Sequence, residues 1–378
     1  MGYDISVKST EGPRRRFRDY RLSTGLLPTG PCNAITDVPG VLVGHSTIVQ
    51  GEGALIPGQG PVRTGVTAIL PHGGNLFRDK VRGAIHVING FGKATGIAQI
   101  QELGIIETPI VLTNTLSVGS AWDSLCGYML DSNPEIGVSA GTVNPCVLEC
   151  NDGYLNDIRG RHVKKEHVLS ALSGAKGGLV PEGNVGGGTG MSCLGFKGGI
   201  GTSSRVVQVD EQWTLGVLVM SNFGRLEDLL ICGIPVGVEI KQTIGMQPKK
   251  PPGSIVVIVG TDAPLSDRQL LRIARRCQGG LARTGSVFSN GSGDFALAFS
   301  TANKVSDSDT SQLSEEMYIR DDSPYMGLLF RACVEAVEES VLNSLFMAET
   351  MVGRDGHTSL GIPTDIVLDI LARHNVID

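Results

Sequence analysis

Aromatic side chains are scarce in this chain: phenylalanine, tryptophan and tyrosine together make up 5% of its 378 residues. That scarcity argues against an aromatic-lined binding surface. Basic charge is not in excess either. The net charge is −6, from 32 basic and 38 acidic side chains, so the chain carries no global electrostatic footprint for nucleic acid. No apolar run approaches the roughly 18–20 residues that a membrane span needs, and the first residues show no apolar stretch of the secretory-signal kind. The eight cysteines (Cys32, Cys126, Cys146, Cys150, Cys193, Cys232, Cys277 and Cys333) include no C-x-x-C pair. In a chain of this length they read as reduced thiols of a cytoplasmic protein. Cys146 and Cys150 are four apart, but no nearby histidine completes a metal spacing, so neither a metal nor another cofactor is expected. No fixed-period repeat or low-complexity segment is present.

What the chain has in quantity is glycine, 52 residues of it, which favours tight turns and close backbone approach. Strands are expected at Val41–Val43, Thr64–Leu70, Ala84–Asn89, Ile110–Leu112, Cys146–Glu149, Ser203–Val209 and Trp213–Met220, the last two as a hairpin. Helices are expected at Lys93–Leu103, Ser120–Leu130 and His162–Leu172. A further helix starts at Asp267 behind a Ser266 cap and stops at Gly279-Gly280. Pro324–Thr350 reads as a long helix, and Pro363 opens a last one. Leu226–Met246 reads as irregular. Residues 1–30, with Arg14, Arg15, Arg16, Arg18 and Arg21, read as a solvated arm or subunit contact.

The most informative stretch runs from Lys249 to Val259: KKPPGSIVVIV. Pro251 and Pro252 fix φ and supply no amide donor, so the approach is rigid and extended. Gly253 has no Cβ, which leaves its carbonyl open to attack. Ser254 heads a β-branched run that reads as a buried strand. The Ser254 hydroxyl could attack the Gly253 carbonyl, shift the chain from amide to ester and, after hydrolysis, expose a new N-terminus. Nucleophile and base then reside in one residue, because an adjacent N-terminal amine activates the hydroxyl. Its unperturbed pKa of roughly 7.7–8.0 suits a general base. The same stretch also reads as a Pro-Gly turn leading into a core strand.

Other polar segments sit at strand ends. Asn222 follows the strand Trp213–Met220 and is placed to donate to an oxyanion, or to make a turn. Asn114–Gly119 precedes a helix as a ligand loop or a simple cap. Glu149 sits five residues before Tyr154, an acid near a phenol. Ser289–Asp294 is a tight polar turn opening a strand at Phe295. The glycine run 183–190 lacks the lysine and spacing of a phosphate loop. Gly137-Val138-Ser139-Ala140-Gly141 matches G-x-S-x-G, but no helix follows it.

The segments ITDVPGVLVGH (35–45), TGVTAILPHGG (64–74), INGFGKATGIAQIQELGIIETPIVLTNTLSVG (88–119), NDGYLNDIRG (151–160), EGNVGGGTGM (182–191), VLVMSNFG (217–224), PPGS (251–254) and FSNGSGDFALAFSTAN (288–303) resemble the DmpA/BapA family. These are L-aminopeptidase/D-amidase/esterases and β-aminopeptidases, a group of self-processing serine peptidases. The resemblance implies an α+β fold, an αββα four-layer sandwich like that of N-terminal-nucleophile hydrolases but with different connectivity. It implies one domain, cut into 1–253 and 254–378, assembling as a homotetramer. It implies Ser254 as nucleophile, Ser292 as the holder of its amine, Asn222 as oxyanion donor and Tyr154 near the oxyanion or leaving group. Asp294 stands where the family carries a glutamate, and Glu149 is the expected anchor for a substrate ammonium. The implied substrates are peptides, amides or esters with a free N-terminal amine. An ornithine-acetyltransferase-like enzyme shares the layered fold but uses threonine at the cut, and a non-catalytic scaffold would remain uncut.

Overall fold

Residues 254–261 (SIVVIVGT) are buried along their whole length because they lie inside a sheet covered on both faces. Ile255, Val257 and Val259 belong to one core cluster, Val256 and Ile258 to another. Side chains of a strand alternate between faces, so a continuous apolar run requires a core on each side. The computed structural model describes residues 13–245, 253–307 and 311–377; the lysine–proline approach at Lys249–Pro252 lies outside them.

In chain order the elements are β1 (Leu42–Gln50), β2 (Val62–Leu70), β3 (Asp79–Gly90), α1 (Ile97–Leu103), β4 (Ile105–Ile106), β5 (Ile110–Asn114), α2 (Val118–Ser132) and β6 (Cys146–Cys150). Then come α3 (Lys165–Ser173), the short β7 (Ser192–Cys193) and β8 (Phe196–Lys197), β9 (Gly199–Gln208), β10 (Gln212–Asn222) and α4 (Val236–Ile244). The chain ends with β11 (Ser254–Thr261), α5 (Asp267–Arg283), β12 (Gly293–Ser306), α6 (Pro324–Phe346), the short β13 (Met351–Val352) and β14 (Thr358–Ser359), and α7 (Thr364–Arg373).

Two sheets dominate, a four-stranded one in the order β1-β2-β5-β6 and a six-stranded one in the order β4-β3-β12-β11-β10-β9. In the larger sheet β11 and β12 run parallel, with α5 between them in sequence, while their outer neighbours are antiparallel. Ile69, Leu112 and Leu148 of the small sheet pack on Met220, Val256 and Leu297 of the large one. Outside the small sheet, Val66 and Val147 meet Ala121 and Leu125 of α2 and Val168 of α3. Outside the large sheet, Val257 and Ala296 meet α5 and α6. The layering is therefore α/β/β/α, as expected. The glycine run 183–190 passes between the sheets, where a Cβ on Gly188 would lie 2.5 Å from the Ile200 nitrogen.

Three expectations change. The helix opened by Ser266 does not stop at Gly279-Gly280 but continues to Arg283. A Cβ at Gly280 would lie 2.6 Å from the Val334 carbonyl oxygen, so this glycine permits close packing of α5 on α6. Residues 226–246 contain α4, whose Val236 and Ile240 are buried; two glycines and a leading proline concealed it. Within the supposed arm, residues 13–30 are tied down. Arg16 pairs with Glu182 at 2.7 Å and Arg18 with Glu339 at 2.7 Å, while Phe17 is fully buried.

Candidate active site

The site forms where β10, β11 and β12 meet. Ser254 is the first residue of β11 and stands opposite Asn222, the last of β10. Parallel pairing sets Ile255 beside Asp294, which brings residues 292–294 alongside 253–255. The hairpin and crossover thus assemble groups from three strands that are up to about seventy residues apart in sequence.

Ser254 is 8% exposed, and its Oγ accepts a hydrogen bond from the Gly293 N–H at 3.1 Å. Ser292 Oγ lies 2.6 Å from Asp294 Oδ1 and also donates to the Gly253 carbonyl oxygen. Asp294 Oδ1 accepts from the Ile255 N–H at 3.1 Å, the amide one residue past Ser254. The shorter aspartate thus still reaches the head of β11. Its second oxygen, Oδ2, accepts from Asn89 Nδ2 at 2.8 Å. Burial pushes the Asp294 carboxyl above the usual aspartate range, and the bonds from Ser292, Asn89 and Ile255 only partly oppose this.

Asn222 is held at both ends of its amide. Oδ1 accepts from the Ser192 N–H at 3.0 Å and Nδ2 donates to the Asn151 carbonyl at 2.9 Å. Gly253 lies directly against it. A Cβ built there would fall 1.6 Å from the Asn222 carbonyl oxygen and 2.8 Å from Nδ2, so no larger residue fits before Ser254.

Glu149 lies in β6, 2% exposed, and its Oε1 accepts from the Lys93 N–H at 2.9 Å while Thr115 Oγ1 donates to Oε2. Burial raises its carboxyl above the ordinary range against these bonds and the Lys93 charge. The loop 90–93 joins this acid to the nucleophile strand ends, since the Phe91 N–H donates to the Ser292 carbonyl at 3.4 Å. The Asn114 segment caps its helix, its side chain accepting from the Ser117 N–H at 3.0 Å.

Tyr154 is not joined to the cluster directly. Its ring stacks on His357 at 4.6 Å and 11°, and among the described residues its hydroxyl makes no hydrogen bond to Ser254, Asn222 or Asp294. It shares a loop with Asn151, which does contact Asn222. Ser139 of the G-x-S-x-G match is exposed in a turn.

Two residues at the site escaped the sequence reading. Asn89 was placed at a strand end but given no role; its position opposite Asp294 comes from the β3–β12 register. In sequence Asp152 precedes Gly153 and looks like a turn residue. It is fully buried, and burial with the neighbouring Glu149 charge pushes its carboxyl to about 7 against bonds from Thr64 and Asn156.

The family model described as peptidase family S58 matches residues 33–359. The beta-peptidyl aminopeptidase BapA of Sphingosinicella xenopeptidilytica is 44% identical over 379 residues, covering 97% of this chain and 92% of that protein. The crystal structure of the PH0078 protein from Pyrococcus horikoshii OT3 superposes with a TM-score of 0.90 at 52% identity, over 95% of this chain and 99% of that one. The L-aminopeptidase D-Ala-esterase/amidase from Ochrobactrum anthropi is described as a prototype of the serine aminopeptidases and a new variant of the Ntn hydrolase fold. It superposes with a TM-score of 0.89 at 37% identity, over 97% of this chain and 100% of that one. These likenesses favour an aminopeptidase over an acetyltransferase. With its four layers, its serine at the head of a central strand and a match across most of its length, the chain belongs to peptidase family S58 and is an N-terminal serine aminopeptidase.

Proposed function

We propose that the enzyme matures by cutting itself between Gly253 and Ser254, leaving 1–253 and 254–378 associated as one domain, and that Ser254 is then the nucleophile. The observation that carries this is the meeting of Ser254, Asn222, Ser292 and Asp294 at the ends of three adjacent strands. The new α-amine takes the Ser254 hydroxyl proton, and Oγ attacks the substrate carbonyl. Asn222 Nδ2, with a backbone N–H, donates to the oxyanion. The leaving amine departs, and water hydrolyses the acyl-enzyme. Ser292 and Asp294 hold the Ser254 amine, and Tyr154 shapes the leaving-group side from the loop 151–157.

Glu149 anchors the free ammonium of the substrate, which restricts the enzyme to removing the first residue of peptides, amides or esters. The names of the relatives at 42–44% identity support β-aminoacyl substrates within that class. Eight cysteines without a disulfide fit a cytoplasmic location, and the family resemblance supports a homotetramer.

Intact mass of the purified protein tests the reading: wild type gives two fragments, and Ser254→Ala gives one inactive chain. Two fragments from Ser254→Ala would remove Ser254 from the chemistry. A panel of aminoacyl p-nitroanilides, β-alanyl and D-alanyl forms included, then ranks the substrates, and light scattering reads the assembly.

A further inference from the structure

Lys197 is fully buried, and its Nζ donates to the carbonyls of Gly188 at 3.1 Å and Gly198 at 2.8 Å. Taking an ammonium out of water is costly unless hydrogen bonds repay it, and packing alone would be met by an apolar side chain of the same length. The residue stands on β8, directly across from Ser192 on β7. Each of these strands has two residues, and so small a hairpin is not stable unaided. It is braced from several sides. The Gly188 oxygen also accepts from the Met191 N–H at 3.2 Å, the Gly198 N–H donates to the Met191 carbonyl at 3.1 Å, and the Lys197 N–H donates to the Leu360 carbonyl at 2.7 Å. The Lys197 side chain thus joins the glycine run 183–190 to the hairpin.

We infer that Lys197 is a positioning residue for the oxyanion donor, its ammonium bracing the hairpin whose Ser192 N–H decides which way the Asn222 amide faces. This rests on the reading of Asn222 given above and names what orients it. An asparagine amide accepts at its oxygen and donates at its nitrogen, and the two ends have nearly the same shape. The Ser192 N–H, 3.0 Å from Oδ1, selects the oxygen end. The nitrogen end is thereby turned to the Asn151 carbonyl and to Gly253, where a built Cβ would lie 2.8 Å from Nδ2. Nδ2 has two protons; one goes to Asn151, and the other is the donor to the oxyanion. A hairpin displaced from Asn222 would let the amide rotate and set its oxygen against the developing negative charge. Lys197 reaches Asn222 by a second route as well. Gly198, whose carbonyl it holds, packs on the end of β10, where a Cβ would fall 2.5 Å from the Ser221 carbonyl oxygen.

The test is a double-mutant cycle on turnover of the processed enzyme. Lys197→Met nearly keeps the length of the side chain and removes the ammonium. Alone, it is expected to lower kcat by about tenfold to 10²-fold with KM nearly unchanged, because an oxyanion donor acts in the transition state. Added to Asn222→Ala, it is expected to lower kcat by less than about twofold, since the donor it positions is already gone. An equal fall in both backgrounds, or wild-type turnover in Lys197→Met, overturns the inference. If Lys197→Met does not fold, Lys197→Gln, a shorter neutral donor, goes through the same cycle and is read the same way. Loss of folding in both makes Lys197 a structural cation and overturns the inference too. A folded Lys197 variant that stays uncut assigns the residue to the cut and likewise overturns it. Wild-type turnover in Asn222→Ala alone sinks the underlying reading of Asn222, whatever Lys197 does.

Discussion

The Ser254 site and the Arg205 cluster are both buried and both built from polar side chains, yet they handle charge in opposite ways. On the outer face of the large sheet Arg205 is fully buried between Glu335 and Glu339, with contacts of 3.3 and 2.7 Å. Arg18 adds a second cation to Glu339, and Asn33 donates to it at 2.5 Å. Burial alone would raise the Glu339 carboxyl, but Arg205 and Arg18 outweigh it and the net shift is downward. At the active site the Asp294 carboxyl has hydrogen bonds and, among the described residues, no cation, and its shift is upward. The first cluster is closed and holds residues 13–33 against α6 and β9. Among the described residues the second has no positive charge, and the proposed cut supplies one, the α-amine of Ser254, beside it.

Breaking the closed cluster has the largest expected effect. Arg205→Ala leaves two buried carboxylates without their shared cation and should cost about 3–5 kcal/mol, read from urea denaturation. A change within a few tenths would show that the network contributes little. At the open cluster, Asn222→Ala should leave a folded chain whose turnover falls by roughly 10²–10³; wild-type turnover in processed protein would remove Asn222 from the mechanism.

The charge contrast has its own test, with opposite signs in the two clusters. Glu339 is held below its unfolded value, so its contribution to stability is present at neutral pH and is lost as pH falls through that lowered value. Asp294 is held above, so the folded uncut chain binds its proton more tightly than the unfolded chain does. Its contribution grows as pH falls through the raised value. In uncut Ser254→Ala, adding Asp294→Asn should therefore raise the urea midpoint at alkaline pH, with the gain shrinking on acidification. A gain that grows on acidification would place a cation beside Asp294 before the cut. The smallest effect belongs to Asn89→Ala. Its hydrogen bond favours the carboxylate, so its loss should move the acid limb of the turnover profile to higher pH and lower turnover by about tenfold. An unmoved limb would make Asn89 a packing residue.

Much of this architecture was legible in the residues. The β-branched run after Ser254 could only be a strand with a core on both faces, and the cap at Ser266 marked a helix start that the structure keeps. Ser292 and Asp294 were legible as a polar turn opening a strand. What stayed hidden was what depends on a partner element. Gly280 looks like a helix stop because the nearby face of α6 is not visible from its neighbours in sequence. Arg16 and Arg18 look solvated because their carboxylates come from residues 182 and 339. Asn89 carried no signal beyond its strand end, since its importance lies in a cross-strand register.

Local chemistry determined which residue could act: a serine behind a glycine, at the head of a strand, was written in four consecutive letters. Long-range pairing decided what that serine meets. Covalent order places Gly253 beside Ser254, but only the antiparallel register of β10 and the parallel register of β12 bring Asn222, Ser292 and Asp294 alongside that peptide, because such registers are set by burial on both faces of the sheet rather than by any single segment.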